Sequence, residues 1–167
     1  METEERTATL RARREALVRA HMQDENTRDF DKVLATFPHP HYEIIATGAV
    51  YDGRDEVRAY YRDSRTAFPD QRNELISLRH TDDAVVVEFW LRGTHQGPFR
   101  ALPPTGQTIE VRMTAFFIFE GERLMVERVY FDSLTLLKQL LRGVSPKNPA
   151  SLLLLIRTLL GVARGLR

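Results

Sequence analysis

The sequence predicts an α+β domain in which helices come first and a curved antiparallel sheet follows. Three segments with helical spacing fill the first 68 residues, and four β-rich segments divided by turn signals run from 72 to 131. Stretches such as 115–119 are apolar on both faces of the pleat. Both faces of the sheet are therefore expected to be covered, one by the helices and the other by a partner subunit.

The first helix is read over residues 4–22, with Leu10, Leu17, Val18 and Met22 near one side. Asn26 has the character of a cap for a second helix, in which Phe30, Val33, Leu34 and Phe37 repeat at i, i+3, i+4 and i+7 until Pro38. Residues 42–51 form a short β-rich stretch, and a third helix over 55–68 presents Val57, Tyr60, Tyr61 and Ser64 on one face. The strands are read as 72–80, 84–95, 108–119 and 123–131, with a Pro/Gly loop over 96–107. Ser133 starts a leucine-rich helix that stops at Gly143. The domain is expected over 1–143. Residues 144–167 read as an appended amphipathic helix, opened by Asn148-Pro149, with leucines on a broad face and arginines opposite. Such a helix can lie on a membrane surface, but packing on its own domain or on a dimer mate is the simpler expectation.

Composition sets bounds on function. The 167 residues are 43% hydrophobic and 28% charged, the profile of a soluble globular protein. Lys plus Arg number 24 against 23 Asp plus Glu, a net +1 that argues against a nucleic-acid partner. The absence of cysteine excludes disulfide scaffolds, thiolate nucleophiles and Cys-ligated zinc. The acidic start and the lack of an 18-residue apolar run lead to the expectation of a cytoplasmic protein. GxSxG, P-loop and GxGxxG patterns are missing, which leaves serine hydrolase, NTPase and dinucleotide-binding readings without support.

Candidate catalysts are polar residues that interrupt apolar strands. Asp132 ends the last strand, where alternation puts Arg128, Tyr130 and Asp132 on one face and Glu127, Val129 and Phe131 on the other. A carboxylate among aromatics loses hydration and gains basicity, which suits proton transfer; alternatively Asp132 or Ser133 caps the following helix. His95, between Gly93 and Gly97 where a strand leaves the sheet, is placed either to shuttle a proton or to anchor its loop. Trp90, Tyr60 and Phe117 are core candidates that would line any cavity. Arg128 needs a partner, with Glu88, Glu110 and Asp132 in view. His39 and His41 lack the further ligands of a metal site, and no metal is expected there.

Gly93-Thr-His-Gln-Gly-Pro-Phe99, then Leu102-Pro-Pro-Thr-Gly106, Tyr130-Phe-Asp132 and Leu136-Leu-Lys-Gln-Leu140 together resemble the SnoaL-like polyketide cyclases of the nuclear transport factor 2-like superfamily. The similarity covers about residues 15–142. It implies a cone-shaped fold with a pocket at the open end and a homodimer formed through the sheet. It further implies cofactor-free acid/base chemistry, in which an aspartate removes a proton alpha to a carbonyl and drives intramolecular aldol closure. Asp132 stands at that motif position. The assisting histidine of the cyclases is missing from the strands 108–119 and 123–131, so His95 would substitute for it from a different place. Tyr130, Arg128, Trp90, Tyr60 and Phe117 are read as surrounding a small lipophilic substrate. The family's usual tryptophan before the aspartate is replaced here by Arg128 and Tyr130, and its QLG triplet by Gln139-Leu140-Leu141. Polyketide ester cyclisation is the leading expectation. Hydration, isomerisation or epoxide opening in the same pocket, and a non-catalytic binding or dimerisation module, are the alternatives.

Overall fold

A computed structural model describes residues 2–100, 102–142 and 156. The expected helix over 144–167 lies outside the described residues, Ile156 excepted. Helix α1, Glu2–Thr27, runs further than the sequence suggests and ends at Arg28, which takes φ 64°. Asp29, not Asn26, caps α2, Phe30–Ala35, by accepting from Lys32 N. Asn26 bonds elsewhere, its Nδ2 donating to Asn73 O at 2.9 Å and its Oδ1 accepting from Asn73 N at 2.7 Å. This copies the paired bonds of two adjoining strands and ties the end of α1 to the sheet.

The 42–51 stretch resolves into β1, His41–Ile44, a 3₁₀ turn, Ile45–Thr47, and β2, Ala49–Asp52. Gly48 closes the turn at φ 66°, a conformation that glycine adopts without a Cβ penalty. Helix α3, Arg54–Ala67, follows; then come β3, Arg72–His80, β4, Ala84–Thr94, β5, Thr108–Glu120, β6, Arg123–Phe131, and α4, Ser133–Leu140. One curved, unclosed sheet holds all six strands in the order β2-β1-β6-β5-β4-β3. Its pairs are antiparallel except β1 with β6, which is parallel, because β1 reaches the sheet from the helical layer. Bulges at Leu75/Ser77 and Ile118/Phe119 add to the bend.

Alternation decides which side of the sheet is core. On β5, Ile109, Val111, Met113, Ala115, Phe117 and Phe119 are buried beneath the helices. Their neighbours Phe116 and Ile118 are half-buried on the outer face, with Trp90 and Val86 of β4 and the exposed Tyr130 of β6. Registry then sets one row across the inner face. Tyr42 lies opposite Glu127, Glu127 opposite Phe117, and Phe117 opposite Val85. A single carboxylate thus sits in an aromatic and aliphatic row. Among the described residues no helix is long and apolar enough to cross a membrane.

Candidate active site

Helix α1 supplies what faces Glu127. Arg14, Val18, His21 and Glu25 share its buried side at i, i+4, i+7 and i+11. Arg14 is structural: its Nε donates to Gly121 O at 2.8 Å and its Nη1 to Asp82 O at 2.9 Å. His21 is fully enclosed, with its ring edge-on to Phe117 at 5.3 Å and Nε2 3.2 Å from Glu127 Oε2.

Counting hydrogens along the network fixes its protonation. Thr36 spends its hydroxyl hydrogen on Val33 O at 2.6 Å, so the 3.0 Å contact with His21 requires that Nδ1 donate. Tyr61 donates to Glu25 Oε1, and so Tyr42 must donate to Tyr61. The 3.1 Å contact between Tyr42 Oη and His21 Nε2 therefore needs a hydrogen on Nε2 as well. His21 is an imidazolium.

The electrostatics agree. Burial opposes charge on His21, but the carboxylates of Glu127 and Glu25 outweigh it and raise its pKa to about 9. Burial also acts against ionised Glu25, yet His21, the Tyr61 hydroxyl and Arg65 hold that carboxyl below its ordinary value. Glu127 goes the other way. Burial, only partly offset by His21, and the charge of Glu25 push it up. The donor atoms of His21, Glu25 and Glu127 lie within 4.8 Å of one another, a spacing that a divalent cation can bridge. With Nε2 protonated, as its hydrogen bonds have it, the group works as an acid–base network.

Glu25, Tyr61 and Glu127 of this network, with His21 behind them, form the closed end of a cavity of about 300 Å³, at the lower limit of small-molecule pockets. Tyr51, Tyr60, Phe68, Phe89 and Met113 make its walls, and the exposed Pro98 and Arg100 stand at the open end. Arg65 Nε and Asn73 Oδ1, both on lining residues, are buried without hydrogen-bond partners, and Glu127 Oε2 is held by its ion pair with His21. An open groove of about 450 Å³ beside α4 is different in kind: its Arg92 is paired with Glu74 and Glu110, and its Asp70 with Thr94.

The model of the SnoaL-like polyketide cyclase family matches residues 15–140. The chain belongs to that family. No curated protein matches it. Among solved structures, it resembles a proposed polyketide cyclase from Xanthomonas campestris, at 19% identity and TM-score 0.71 over 78% of this chain and 98% of that one. It also resembles AclR, a proposed hydroxylase from Streptomyces galilaeus, at 22% identity and TM-score 0.67 over 77% and 85%. A third, a hypothetical protein from Catenulispora acidiphila with a ketosteroid isomerase-like fold, matches at 17% identity and TM-score 0.64 over 74% and 91%. At these identities the likeness shows the fold.

In this SnoaL-like protein Asp132 does not line the cavity. It is exposed and is the N-cap of α4: Oδ1 accepts from Leu134 N at 2.9 Å and Thr135 N at 3.1 Å, and Oδ2 accepts from Thr135 Oγ1. The Thr135 hydroxyl, the amides and Lys138 hold its pKa down. Alternation on β6 is as expected, but the face with Glu127, Val129 and Phe131 is the inner one. Tyr130, Arg128 and Trp90 consequently lie on the outer face, and Arg128 pairs with Glu43 rather than with Glu88, Glu110 or Asp132. Tyr60 lines the cavity, and Phe117 is buried just behind it against His21.

His95 is fully buried and anchors the 96–107 loop, its Nδ1 accepting from Thr105 N at 3.2 Å. Burial lowers its pKa. The structure does not bring it together with Asp132 or with the His21 network. His39 and His41 both converge on Asp52 Oδ1, at 2.9 and 2.8 Å, on the surface. Sequence reasoning passed over His21, Glu25, Arg65 and Glu127. The available signal was spacing: His21 and Glu25 fall at i+3 and i+7 from the core residue Val18.

Proposed function

We propose that this protein is a cofactor-independent acid/base enzyme that removes a proton alpha to the carbonyl of a small lipophilic compound. Polyketide ester cyclisation by intramolecular aldol condensation is its most concrete form. One observation carries the reading: Glu127, a buried carboxylate whose Oε2 is ion-paired with His21, lines a largely aromatic and aliphatic cavity. Its raised pKa makes it a stronger base than an exposed carboxylate.

Charge balance favours the step. Arg65 and His21 each carry one positive charge, and Glu25 and ionised Glu127 each carry one negative charge. When Glu127 takes the substrate proton, the enolate replaces its charge and the sum is unchanged. The enolate carbon then adds to a second carbonyl of the same molecule, and the resulting alkoxide takes the proton back from Glu127.

The test is alpha-proton exchange in D₂O, followed by NMR on a lipophilic β-keto ester. Glu127→Gln is expected to slow exchange by about 10²–10⁴-fold. Asp132→Ala should exchange at the wild-type rate and melt at a lower temperature, as loss of a helix cap predicts. Wild-type exchange in Glu127→Gln would overturn the assignment.

The proposal includes a homodimer formed through the outer face of the sheet. Phe116 and Tyr130 meet edge-on there at 5.6 Å, beside half-buried Val86 and Ile118, an apolar strip of the kind that marks association surfaces. Light scattering is expected to give twice the 19.3 kDa of the chain, and Phe116→Glu a monomer. A monomeric wild type at tens of micromolar would count against it.

A further inference from the structure

We infer that Arg65 is the residue that binds the substrate's carbonyl oxygen and stabilises the charge that develops on it, and that carboxylates bind at the same place as mimics of the enolate. This inference rests on the acid/base reading of the cavity.

Arg65 stands near the C-terminal end of α3 and is only 9% exposed. Its guanidinium lies over the Phe30 ring, 5.6 Å from the centroid, a position that fixes its plane. One hydrogen bond is assigned to it, from Nη2 to Glu25 O at 3.2 Å. Nε is buried with no partner, although the residue lines the cavity. An arginine carries five N–H donors in a fixed fork suited to paired oxygens. Burying Nε without an acceptor is costly unless something supplies one, since a buried donor left unpaired loses its hydration for nothing in return.

The surroundings say which acceptor. Glu25 presents a backbone carbonyl to Arg65, while its carboxylate is occupied by Tyr61 and Asn73. The groups on this closed end are therefore His21 and Arg65, both positive, Glu25, negative, and Glu127. Before Glu127 is counted, one positive charge is unbalanced. An enolate oxygen on Arg65 balances it while Glu127 holds the transferred proton. A carboxylate ligand is the stable analogue of that state: planar, with two oxygens and one negative charge. The same arrangement gives an ester or ketone a hydrogen bond from a cation but no opposite charge to set against it. The octyl-length apolar part of such a ligand would lie toward Phe68, Phe89 and Met113.

Titration calorimetry with octanoate, methyl octanoate and 2-octanone tests this on the full chain. Octanoate is expected to bind at least about tenfold more tightly than the ester or the ketone, since with octanoate both partners of the Arg65 bond are charged. Arg65→Gln should erase that preference by weakening octanoate far more than methyl octanoate, whereas a merely structural role would weaken all three ligands alike. Arg65→Lys keeps the charge without the fork and should restore part of the preference. Equal binding of octanoate and its ester to wild type, which needs no variant, would overturn the inference, as would an equal loss of all ligands in Arg65→Gln. The acid/base reading fails separately, if Glu127→Gln still exchanges alpha protons while octanoate selectivity persists.

Discussion

Replacing His21 with alanine is expected to cost about 3–5 kcal/mol of unfolding free energy, because it strands buried carboxylates without their counter-charge. The ring carries more than charge. It donates from Nδ1 to Thr36 and from Nε2 to Tyr42, so its loss also leaves those two hydroxyl oxygens without a donor. The pH dependence has a definite sign. His21 is raised from 6.5 to about 9 on folding, so the native state holds a proton that the unfolded chain releases. Its stabilisation is complete below pH 6.5 and is lost as pH climbs toward 9, a fall of roughly 3 kcal/mol. Glu127, also raised on folding, adds to the loss with rising pH from above its ordinary value of 4.5. Glu25, lowered on folding, acts oppositely, with a contribution that disappears as pH falls below 4.5. Urea unfolding at pH 6, 7.5 and 9 checks the pattern. Wild type should lose stability across that interval, and His21→Ala should lose much less. Parallel curves for the two proteins would show that His21 is not the titrating group.

The sequence carries the strands of this fold more openly than its site. β3 and β6 lie where periodicity and turn residues put them, because alternation and flanking Asp/Gly signals are local. The inner and outer faces of β6 are not local. Val126, Arg128 and Tyr130 offer as much apolar surface as Glu127, Val129 and Phe131, and an outer face half-covered by its own aromatics looks in one dimension like a core. Which set turns inward follows from pairing with β1 and β5, more than 80 residues apart in the case of Arg128 and Glu43. Asp132 illustrates the same limit. Aspartate before Ser-Leu-Thr satisfies a helix cap and a catalytic motif equally well, and only its bonds to Leu134 and Thr135 decide its observed role. His21 and Glu25 were hidden for the opposite reason: on a long helix rich in Arg and Glu, charged residues read as solvent-facing. Their burial is dictated by partners on β1, α3 and β6 that no helical pattern displays.

Gly97→Ala is expected to be at least as disruptive as the loss of His21, by a purely steric route. A Cβ at this position would fall 2.1 Å from Thr66 O and 2.9 Å from Thr66 C, and backbone cannot step aside as a flexible side chain can. Gly97 sits that close because the loop terminates α3: Gln96 N and Gly97 N both donate to Ala67 O, at 2.9 and 3.1 Å. Those bonds satisfy a carbonyl that the helix leaves open. The other side of the loop is held by His95 through Thr105, so it cannot slide as a unit. Adding the methyl forces separation of loop from helix, which moves Pro98 and Phe99 off the cavity and exposes Phe68. A cost of about 3 kcal/mol or more follows for a clash against fixed backbone, together with loss of octanoate binding. Gly121→Ala is the matched control. Its backbone is left-handed, at φ 60°, and nothing lies within 4 Å of an added Cβ, so only the backbone conformation is penalised, at about 1–2 kcal/mol, and the cavity should bind as before. If the two variants melt alike and bind alike, the contact between this loop and α3 is not what closes the cavity.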